Sequence, residues 1–250
     1  MSRDIGILRQ EAAAFEERLA AVKAKAAPPD FPWYPYRTLL NLEHLDRLLT
    51  GENRALFDSG SERRVADIGA ADGELAFFLE SKGLRVDVID YGPTNFNQLR
   101  GARNLKKALG SSVEVHDVDL DARFQLPRNR YDVVVFLGIL YHLKNPYYIL
   151  ETLARATRWM LLSTRITRFA GEPRLEVRPL PVAYLLDPTE CNNDSTNFWI
   201  FTETGLRRLL ARTGWEVRDY ISLGNTTNSD PATAEGDERA FLLAESRVQR

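Results

Sequence analysis

The sequence predicts an α/β fold: a doubly wound, Rossmann-like sheet of seven mostly parallel strands, with an antiparallel last strand and with helices ahead of it. Two observations predict it. Between residues 64 and 164, short apolar runs alternate with amphipathic helical patterns, which is typical of a parallel sheet covered by helices on both faces. Near the end of the chain, two apolar runs are joined by the polar loop 224–238 without a helix, so they are predicted to be antiparallel.

The N-terminal part, residues 1–61, is predicted to precede the domain as helices and a proline-aromatic segment. Residues 4–27 carry apolar side chains at helical spacing, and two prolines end this amphipathic helix. Residues 31–36 combine prolines with aromatic rings and are predicted to be irregular, because proline interrupts helical hydrogen bonding. A second helix is predicted at 37–50, ended by Gly51.

The remaining residues, 62–250, are predicted to form the domain itself. Prolines and a polar run interrupt the alternation at about 165–200, which is therefore predicted to be an insertion. Thr202 is the predicted N-cap of the helix that follows. The predicted elements, in chain order, are strand 64–68, helix 73–82, strand 85–90, helix 94–109, strands 112–116 and 131–137, helix 146–157, strand 159–164, helix 202–213, and strands 215–222 and 240–244.

The composition is that of an ordinary soluble globular protein, and it narrows the function classes. With 33 basic and 35 acidic residues the net charge is −2, which argues against a globally basic nucleic-acid surface. The single Cys191 rules out an intramolecular disulfide and favours a cytoplasmic location. No uncharged apolar run is long enough to span a bilayer, so no membrane partner is predicted. Three separated histidines and one cysteine predict no metal site.

The turn after the first predicted strand carries the strongest functional signal. Asp67 ends an apolar run, Gly69 and Gly73 follow in a tight turn, and Asp90 ends the next apolar run. This order is typical of a nucleoside-binding unit, in which the second acid meets ribose hydroxyls. Ala71 replaces the glycine that lets backbone approach a pyrophosphate, and no phosphate-binding loop follows. The predicted ligand is a nucleoside without a pyrophosphate, and the Asp67 carboxylate favours one that carries positive charge.

These residues resemble motif I of the class I S-adenosylmethionine (SAM) methyltransferases, whose usual form is acid-x-Gly-x-Gly-x-Gly, with Ala71 in place of the central glycine. An ordinary tight turn in some other α/β protein is the alternative interpretation. The resemblance implies an enzyme that takes SAM as its cofactor and holds it at this turn. The turn residues assigned to the cofactor are Asp67, Gly69, Ala70, Ala71 and Gly73.

Two further strand ends are predicted to hold the nucleoside. The Asp90 carboxylate offers two oxygens to the two ribose hydroxyls, and Tyr91 beside it is placed to cover the adenine face. A solvated loop acid is the alternative for Asp90. By the resemblance, Asp117 accepts from the adenine amino group and the Val118 backbone meets a ring nitrogen, while the adjacent Asp119 competes with Asp117 for this role.

The fourth predicted strand is followed closely by a tyrosine and a histidine. Leu137 ends the strand, where the resemblance places backbone beside the methionine part of SAM; core packing is the alternative. Tyr141 and His142 come after the carboxyl end of this strand, the edge at which open α/β sheets bind ligands. They are the predicted catalytic residues wherever the reaction needs a base. The alternative for His142 is a hydrogen bond to backbone that shapes the loop.

Three segments resemble their counterparts in the wobble-uridine tRNA carboxymethyltransferases. Gly138–His142 resembles the Gly-aliphatic-Leu-Tyr-His run of that family, Pro32–Tyr36 its Pro-Trp…Pro-Phe segment, and Asn197–Ile200 its Asn-aromatic stretch. The family has a basic pair after the tryptophan, where this chain has Tyr34. The extra carboxylate of carboxy-SAM therefore finds no cation at that position, and plain SAM is the predicted donor.

The acceptor site is predicted from these segments and from four arginines after the fifth strand. Arg165 and its three basic neighbours are suited to a phosphate or a carboxylate; a solvated flap of mixed charge is the alternative. Residues 197–199 are interpreted either as a lid or as packing. The residues predicted to contact the acceptor are Trp33, Tyr36, Arg165, Asn197 and Trp199.

The leading hypothesis is transfer of a methyl group from SAM to an oxygen, nitrogen or carbon nucleophile of a small molecule, neutral or anionic. In-line displacement at a sulfonium depends mainly on positioning, so no nucleophilic side chain is expected. Carboxymethyl or methyl transfer to a tRNA wobble uridine is the first alternative, with tRNA the less favoured partner. A SAM-binding protein without catalytic activity is the second.

Overall fold

The computed structural model describes residues 6–58 and 62–249. The first residues of the predicted N-terminal helix and the residues on the N-terminal side of the predicted domain boundary lie outside this described part. The chain divides into two compact units, Met1–Val135 and Phe136–Arg250. Each unit is described separately below.

Among the described residues, the first unit contains four strands of the sheet and four α-helices. Strands β1, β2 and β3 pair in parallel, with Arg64 opposite Arg85 and Asp90 opposite Asp117, and β4 lies on the other side of β1. The elements are α1 (Ile7–Ala26), α2 (Leu42–Leu48), β1 (Arg64–Ile68), α3 (Glu74–Ser81), β2 (Arg85–Asp90), α4 (Arg100–Leu109), β3 (Glu114–Asp117) and β4 (Tyr131–Leu137), whose last two residues belong to the second unit.

The second unit contains the antiparallel strands. The long strands pair in the order β10-β11-β5, both pairings are antiparallel, and the short β9 runs parallel to β5 while pairing with β8. The elements are α5 (Pro146–Ala156), β5 (Thr157–Ile166), β6 (Phe169–Ala170), β7 (Leu175–Glu176), β8 (Ala183–Leu185), β9 (Trp199–Phe201), α6 (Glu203–Arg212), β10 (Trp215–Gly224) and β11 (Glu238–Ser246).

The predicted fold class is confirmed. The described chain is a mixed α/β fold whose central sheet is mostly parallel, with antiparallel strands at one edge. The strands joined by the loop 224–238 are antiparallel, as the absence of a helix between them predicts. Thr202 caps α6 as predicted, because its side chain accepts a hydrogen bond from the Gly205 N–H group. Among the described residues, no helix is long and apolar enough to cross a membrane.

Two helix predictions need correction. The segment predicted as one helix at 37–50 is a 3-10 helix at Thr38–Asn41 followed by α2, and Gly51 begins a further 3-10 helix instead of ending the first one. Helix α4 begins at Arg100 and not at 94. The residues before it, Gln98 and Leu99, have φ angles of 60° and 63°, and a helix cannot continue through this left-handed region.

The predicted insertion at 165–200 contains short strands that the sequence does not predict. Strands β6 to β9 are two or three residues long, too short to show an alternating pattern of apolar side chains. Strand β9 meets β5 at a single pair, Ile166 opposite Phe201. The insertion thus contributes strand pairing to the sheet of the second unit, and this pairing holds the residues before β9 in place.

The amphipathic pattern of α1 is confirmed in its described residues. The buried side chains, at positions spaced by three or four residues, are Leu8, Ala12, Phe15 and Leu19. The Phe15 ring meets the Phe78 ring of α3 edge to face, with centroids 5.7 Å apart. Helix α1 is therefore packed against the helix that follows the predicted cofactor turn, and it carries the chain into the proline-aromatic segment.

Candidate functional site

The turn between β1 and α3 has the backbone that the motif requires. Gly69, Ala71 and Gly73 all have positive φ angles, 68°, 53° and 77°. The Gly69 N–H group donates to the Ile89 carbonyl at 2.9 Å and the Gly73 N–H group to the Ala70 carbonyl at 2.7 Å. Ala71 occupies a left-handed conformation that glycine adopts without a Cβ penalty, which explains why glycine is the usual residue here.

Asp67 is the most perturbed acid of this turn. It is 4% exposed, and burial, with a smaller contribution from the Asp90 charge, raises its pKa from 3.8 to about 7. Its Oδ2 atom is buried and accepts no hydrogen bond from the described residues. A buried carboxylate oxygen without a partner is unfavourable in the ligand-free protein, and a cationic group is the ligand that relieves it. This observation fits the charged methionine part of SAM.

Asp90 holds the loops on either side of it. Its Oδ1 atom accepts from the Tyr91 N–H group at 2.8 Å, and its Oδ2 atom accepts from the Ala71 N–H group at 3.1 Å and from the Asn95 amide at 2.9 Å. Burial raises the pKa of Asp90. Because each carboxylate oxygen has two lone pairs, Oδ2 is fully engaged and Oδ1 keeps one acceptor position for a ribose hydroxyl. Asn95 was not predicted; the signal for it is a Thr-Asn-Phe-Asn run shortly after the strand.

The end of β3 lies beside the loop that follows β2. The Asp117 Oδ1 atom accepts from the Gly92 N–H group at 2.8 Å, and the Val118 N–H group donates to the Asp90 carbonyl at 2.9 Å. The structure therefore brings Asp90, Tyr91, Asp117 and Val118 to one edge, as the parallel pairing of β2 and β3 dictates. Since the Val118 N–H group already has a backbone acceptor, the adenine contacts assigned to Asp117 and Val118 stay predictions.

A buried acid connects the proline-aromatic segment to the cofactor turn. Asp72 is 1% exposed, and it accepts from the Tyr34 N–H group and from the Asn97 amide, both at 2.7 Å. The same amide donates to the Pro32 carbonyl at 3.2 Å. Trp33 lies between Pro32 and Tyr34 in the sequence, and the Lys23 ammonium is 5.0 Å from its ring centroid. Sequence analysis gave Asp72 no role, although it lies within the motif.

The predicted acceptor residues of this segment differ in exposure. Tyr36 is 69% exposed, and its ring meets that of Tyr34 at a centroid distance of 5.4 Å. The rings of Tyr34 and Phe96 are 5.9 Å apart. The Tyr34, Tyr36 and Phe96 rings thus lie together, and the substrate roles of Trp33 and Tyr36 stay predictions.

In the second unit, Tyr141 is paired with a cation that sequence analysis missed. Tyr141 is 8% exposed, and its hydroxyl oxygen accepts from Nη1 of Arg239 at 3.4 Å. An ideal Cβ built on Gly138, which follows Leu137 at the end of β4, would lie 3.7 Å from the same hydroxyl. The signal for Arg239 is an arginine directly before the apolar run 240–244 of the last strand. The pair offers a phenol and a guanidinium to a polar or anionic group.

His142 contacts the insertion through one ring nitrogen. Its Nδ1 atom lies 3.2 Å from the Thr196 carbonyl oxygen and 3.0 Å from the Thr196 hydroxyl. Burial lowers the pKa of His142 below its ordinary value of 6.5, so the imidazole is uncharged at neutral pH. His142 thus contacts loop backbone, as one interpretation predicts, while its role as a base stays a prediction.

Arg165 and its basic neighbours are engaged within the protein. Arg165 is 3% exposed; its guanidinium contacts Cys191, the Thr233 carbonyl at 3.0 Å and Asp237 at 3.0 Å. The other three arginines pair with Glu238, Asn228 and Glu176. Each of the four arginines therefore has a polar partner among the described residues, and the contact of Arg165 with the acceptor stays a prediction. Arg239, opposite Arg165 in the β5–β11 pairing, is the more exposed cation.

The residues before and within β9 are tied to the loop that carries Tyr141. The Phe198 N–H group donates to the Tyr141 carbonyl at 2.7 Å, and the Trp199 indole N–H donates to the Lys144 carbonyl at 3.3 Å. Asn197 is 4% exposed, and its buried Oδ1 atom accepts no hydrogen bond from the described residues. Trp199 is thus partly a packing residue, while Asn197 keeps an unused acceptor. Their substrate roles stay predictions.

One group of possible metal ligands occurs in the described ranges 6–58 and 62–249. Asp87, Glu114 and His116 place one ligand atom each within 4.8 Å of one another. The guanidinium of Arg128 contacts both acids, Asp87 at 3.2 Å and Glu114 at 2.9 Å, and Tyr131 donates to Asp87 at 2.8 Å. Because the Arg128 guanidinium already forms ion pairs with both carboxylates, we assign no metal to this group.

The sequence model of the methyltransferase domain family matches residues 41–220, which is more than half of the chain. The chain belongs to this family. Together with the motif I turn and the unpartnered Asp67 oxygen, the match identifies an enzyme, a SAM-dependent methyltransferase whose cofactor is SAM. No curated protein sequence matches the chain.

Several solved structures have the same fold. The [4+2]-cyclase SpnF superposes with a TM-score of 0.59 at 15% identity, covering 96% of this chain and 95% of that one. A SAM-dependent methyltransferase from Mesorhizobium loti gives 0.56 at 15% identity, covering 81% and 96%. The N-terminal domain of EvdMO1 with S-adenosylhomocysteine (SAH) bound gives 0.55 at 15% identity, covering 92% and 96%. These likenesses support the fold assignment.

Proposed function

We propose that this enzyme transfers the methyl group of SAM to an oxygen, nitrogen or carbon nucleophile of a small molecule. The observation that carries the proposal is the acid arrangement of the first unit. Asp67 presents a buried carboxylate oxygen that accepts no hydrogen bond from the described residues, and Asp90 ends the neighbouring strand, where a ribose diol is expected. A cationic nucleoside is the ligand class that uses both acids.

The residues assigned to SAM are those of the turn, Asp67 to Gly73, and those at the ends of β2 and β3. Bound there, SAM supplies a methyl group on a sulfonium, which needs no metal and no protein nucleophile. The chain contributes a countercharge at Asp67, hydrogen-bond acceptors at Asp90, and a turn whose backbone lies close to the ligand. The free thiol of Cys191 supports the cytoplasmic location proposed for this enzyme.

Tyr141 and Arg239 support an anionic or polar acceptor. The phenol and the guanidinium lie side by side, and the second unit places them next to Gly138. A guanidinium binds carboxylates and phosphates well, because its N–H groups match the spacing of two oxygens. We therefore include acceptors with one negative charge in the proposed substrate class.

Removing the Asp90 carboxylate tests the cofactor site. We expect Asp90→Ala to weaken SAM and SAH binding at least about tenfold, because the ribose loses its carboxylate acceptor. Isothermal calorimetry on the wild type, expected to bind at micromolar strength, measures the loss. Glu17→Ala, which removes an exposed acid from α1, is the control and should bind as the wild type does. Equal affinities of the wild type and Asp90→Ala would place the ribose elsewhere.

The ligand class is tested in the same series. Thermal stabilisation by SAM, with none by NAD or ATP, is the expected result. Stabilisation by NAD or ATP without any by SAM would contradict the proposed function altogether. SpnF, which has this fold, is described as a cyclase, so the reaction itself needs a direct assay. Labelled SAM screened against small molecules separates an active enzyme from a SAM-binding protein without catalysis.

Carboxymethyl transfer to tRNA is the second candidate, and one observation favours it. The sequence has no cation after Trp33 for the extra carboxylate of carboxy-SAM, but Arg239 supplies one beside Tyr141. Asp237 contacts this guanidinium at 3.1 Å and shares its charge with Arg165, which weakens Arg239 as a carboxylate site. The first candidate therefore stays the leading proposal.

A side-by-side titration of the two donors distinguishes these candidates. We expect plain SAM to bind more tightly than carboxy-SAM, and bulk tRNA to accept no label from either donor. Arg165→Ala and Arg239→Ala show which guanidinium contributes to any difference. A preference for carboxy-SAM that disappears in Arg239→Ala would reverse the ranking and make the tRNA reaction the leading proposal.

A further inference from the structure

The loop before β9 brings a hydroxyl and a carboxylate behind His142. A carbonyl oxygen carries no proton, so the contact between His142 Nδ1 and the Thr196 carbonyl requires the proton on Nδ1. The Thr196 hydroxyl donates its own proton to Oδ1 of Asp194 at 2.6 Å, so towards His142 it is also an acceptor. Both contacts favour the same tautomer, with Nδ1 protonated and the lone pair on Nε2.

This arrangement is fixed by backbone contacts. The Asp194 carboxylate accepts the Thr196 N–H group at 2.9 Å as well as the hydroxyl, and the Asp194 carbonyl accepts the Asn197 N–H group at 3.0 Å. Phe198 then joins the loop to the carbonyl of Tyr141, the residue before His142. The relative positions of the three side chains are thus set by hydrogen bonds at both ends of the loop.

The electrostatic environment keeps the imidazole uncharged. Burial lowers the pKa of His142, the Asp194 carboxylate raises it, and the Arg239 guanidinium lowers it. The Tyr141 ring lies against the imidazole, with centroids 4.3 Å apart. An uncharged imidazole with its lone pair on Nε2 is the form in which histidine accepts a proton.

We propose that Asp194 and Thr196 are positioning residues that hold the Nδ1–H tautomer of His142, so that Nε2 takes the proton of a hydroxyl acceptor. This inference rests on the proposed function and narrows its acceptor class to hydroxyl compounds. The acceptor oxygen forms the bond to the methyl carbon, the C–S electron pair stays on sulfur, and the O–H proton goes to Nε2. Carbon or nitrogen acceptors that lose no proton have no use for this arrangement.

Histidine-selective ¹⁵N labelling tests the tautomer without any acceptor. The chain has three histidines, His44, His116 and His142, and a His142→Gln variant identifies the signal. Long-range ¹H–¹⁵N spectra show which ring nitrogen carries the proton. We expect the wild type to be mainly Nδ1–H. Asp194→Ala should have a larger Nε2–H fraction, because the Thr196 hydroxyl, without its acceptor, can then donate to Nδ1 in competition with the carbonyl contact.

Three variants serve as comparisons. Asp194→Asn keeps an oxygen acceptor and should preserve the wild-type tautomer, whereas Thr196→Val removes one of two acceptors and should increase the Nε2–H fraction. Asp187→Ala is the matched control, because Asp187 accepts from the Thr189 hydroxyl at 2.7 Å in the same kind of turn. Among the described residues, neither side chain is hydrogen-bonded to a histidine. It should leave His142 unchanged.

Two results would overturn the proposal. One is a wild-type His142 with its proton on Nε2. The other is a His142 signal that is the same in the wild type, in Asp194→Ala and in Thr196→Val. Calorimetry with SAM on the same samples is a separate measurement. Failure to bind SAM contradicts the proposed function, while the wrong tautomer contradicts only this positioning role, so the two failures are distinguishable.

Discussion

Asp67→Asn is expected to make the ligand-free protein more stable and its SAM binding weaker. Burial raises the pKa of Asp67 from 3.8 to about 7 in the folded protein. An acid whose pKa is raised on folding lowers the free energy of unfolding as the pH rises from its unfolded to its folded pKa, here from about 4 to 7. Above this range the loss of stability is constant. Asparagine keeps the shape and avoids the charge. At pH 8 the gain in the free energy of unfolding is at most about 4 kcal/mol.

The same substitution removes the countercharge of the ligand. We expect SAM affinity to fall at least about tenfold, since an ionised carboxylate is replaced by a neutral amide. SAH keeps the ammonium and lacks the sulfonium, so an equal loss for SAM and SAH places the carboxylate near the ammonium. In the wild type, binding should strengthen from pH 6 to pH 8, because the cation binds the ionised form.

Denaturant unfolding at pH 5 and pH 8, with calorimetry at both, measures these effects. At pH 5 the gain in the free energy of unfolding of Asp67→Asn should be smaller, because ionisation of Asp67 destabilises the wild type less at this pH than at pH 8. Glu17→Gln, which neutralises an exposed acid on α1, is the control and should change neither quantity. An Asp67→Asn variant that binds SAM as tightly as the wild type would contradict the countercharge role.

Gly101→Ala is expected to destabilise the first unit by about 3 kcal/mol, the reverse of what the substitution does in most helices. A Cβ at Gly101 would overlap Oδ1 of Asp72 and lie 2.6 Å from its carboxyl carbon and 2.8 Å from the Asn97 amide nitrogen. These groups join the proline-aromatic segment to the cofactor turn. Their displacement leaves buried polar atoms without partners.

Urea unfolding of Gly101→Ala and Lys107→Ala makes the comparison within one helix. Lys107 is exposed on α4, so its substitution should change stability by less than about 0.5 kcal/mol. A Gly101→Ala variant as stable as the wild type would show that Asp72 and Asn97 can move apart at no cost, and that the segment is not held by them.

Much of the first unit follows from local sequence. Strand β2 has the bounds that the sequence predicts, and β1 does as well, because each is an apolar run between clear turn signals. The predicted start of α4 was wrong by six residues, because Gln98 and Leu99 are not residue types that indicate a left-handed backbone. Short strands such as β9 carry too few residues for any pattern.

Some residues of the candidate site could be predicted from the sequence and others could not. Asp67, Asp90 and Asp117 were predicted because they lie at the ends of strands, and parallel strands bring their carboxyl ends to one edge. Arg239 and Asp194 were missed because each follows a loop or lies within one, and the sequence does not say which side chain a loop will approach. Arg165 was predicted to contact the acceptor and Arg239 was not, because the sequence does not show which arginine is buried and paired in the fold.

The α/β class, the turn after β1 and the acids at the strand ends could be predicted from the sequence. These features depend on residue types at fixed spacing along the chain. Three features required the folded structure: which arginine lies beside Tyr141, which acid lies near His142, and which carboxylate oxygen accepts no hydrogen bond from the described residues. Those outcomes depend on contacts between residues up to 98 positions apart, and such contacts are set by packing of the whole unit.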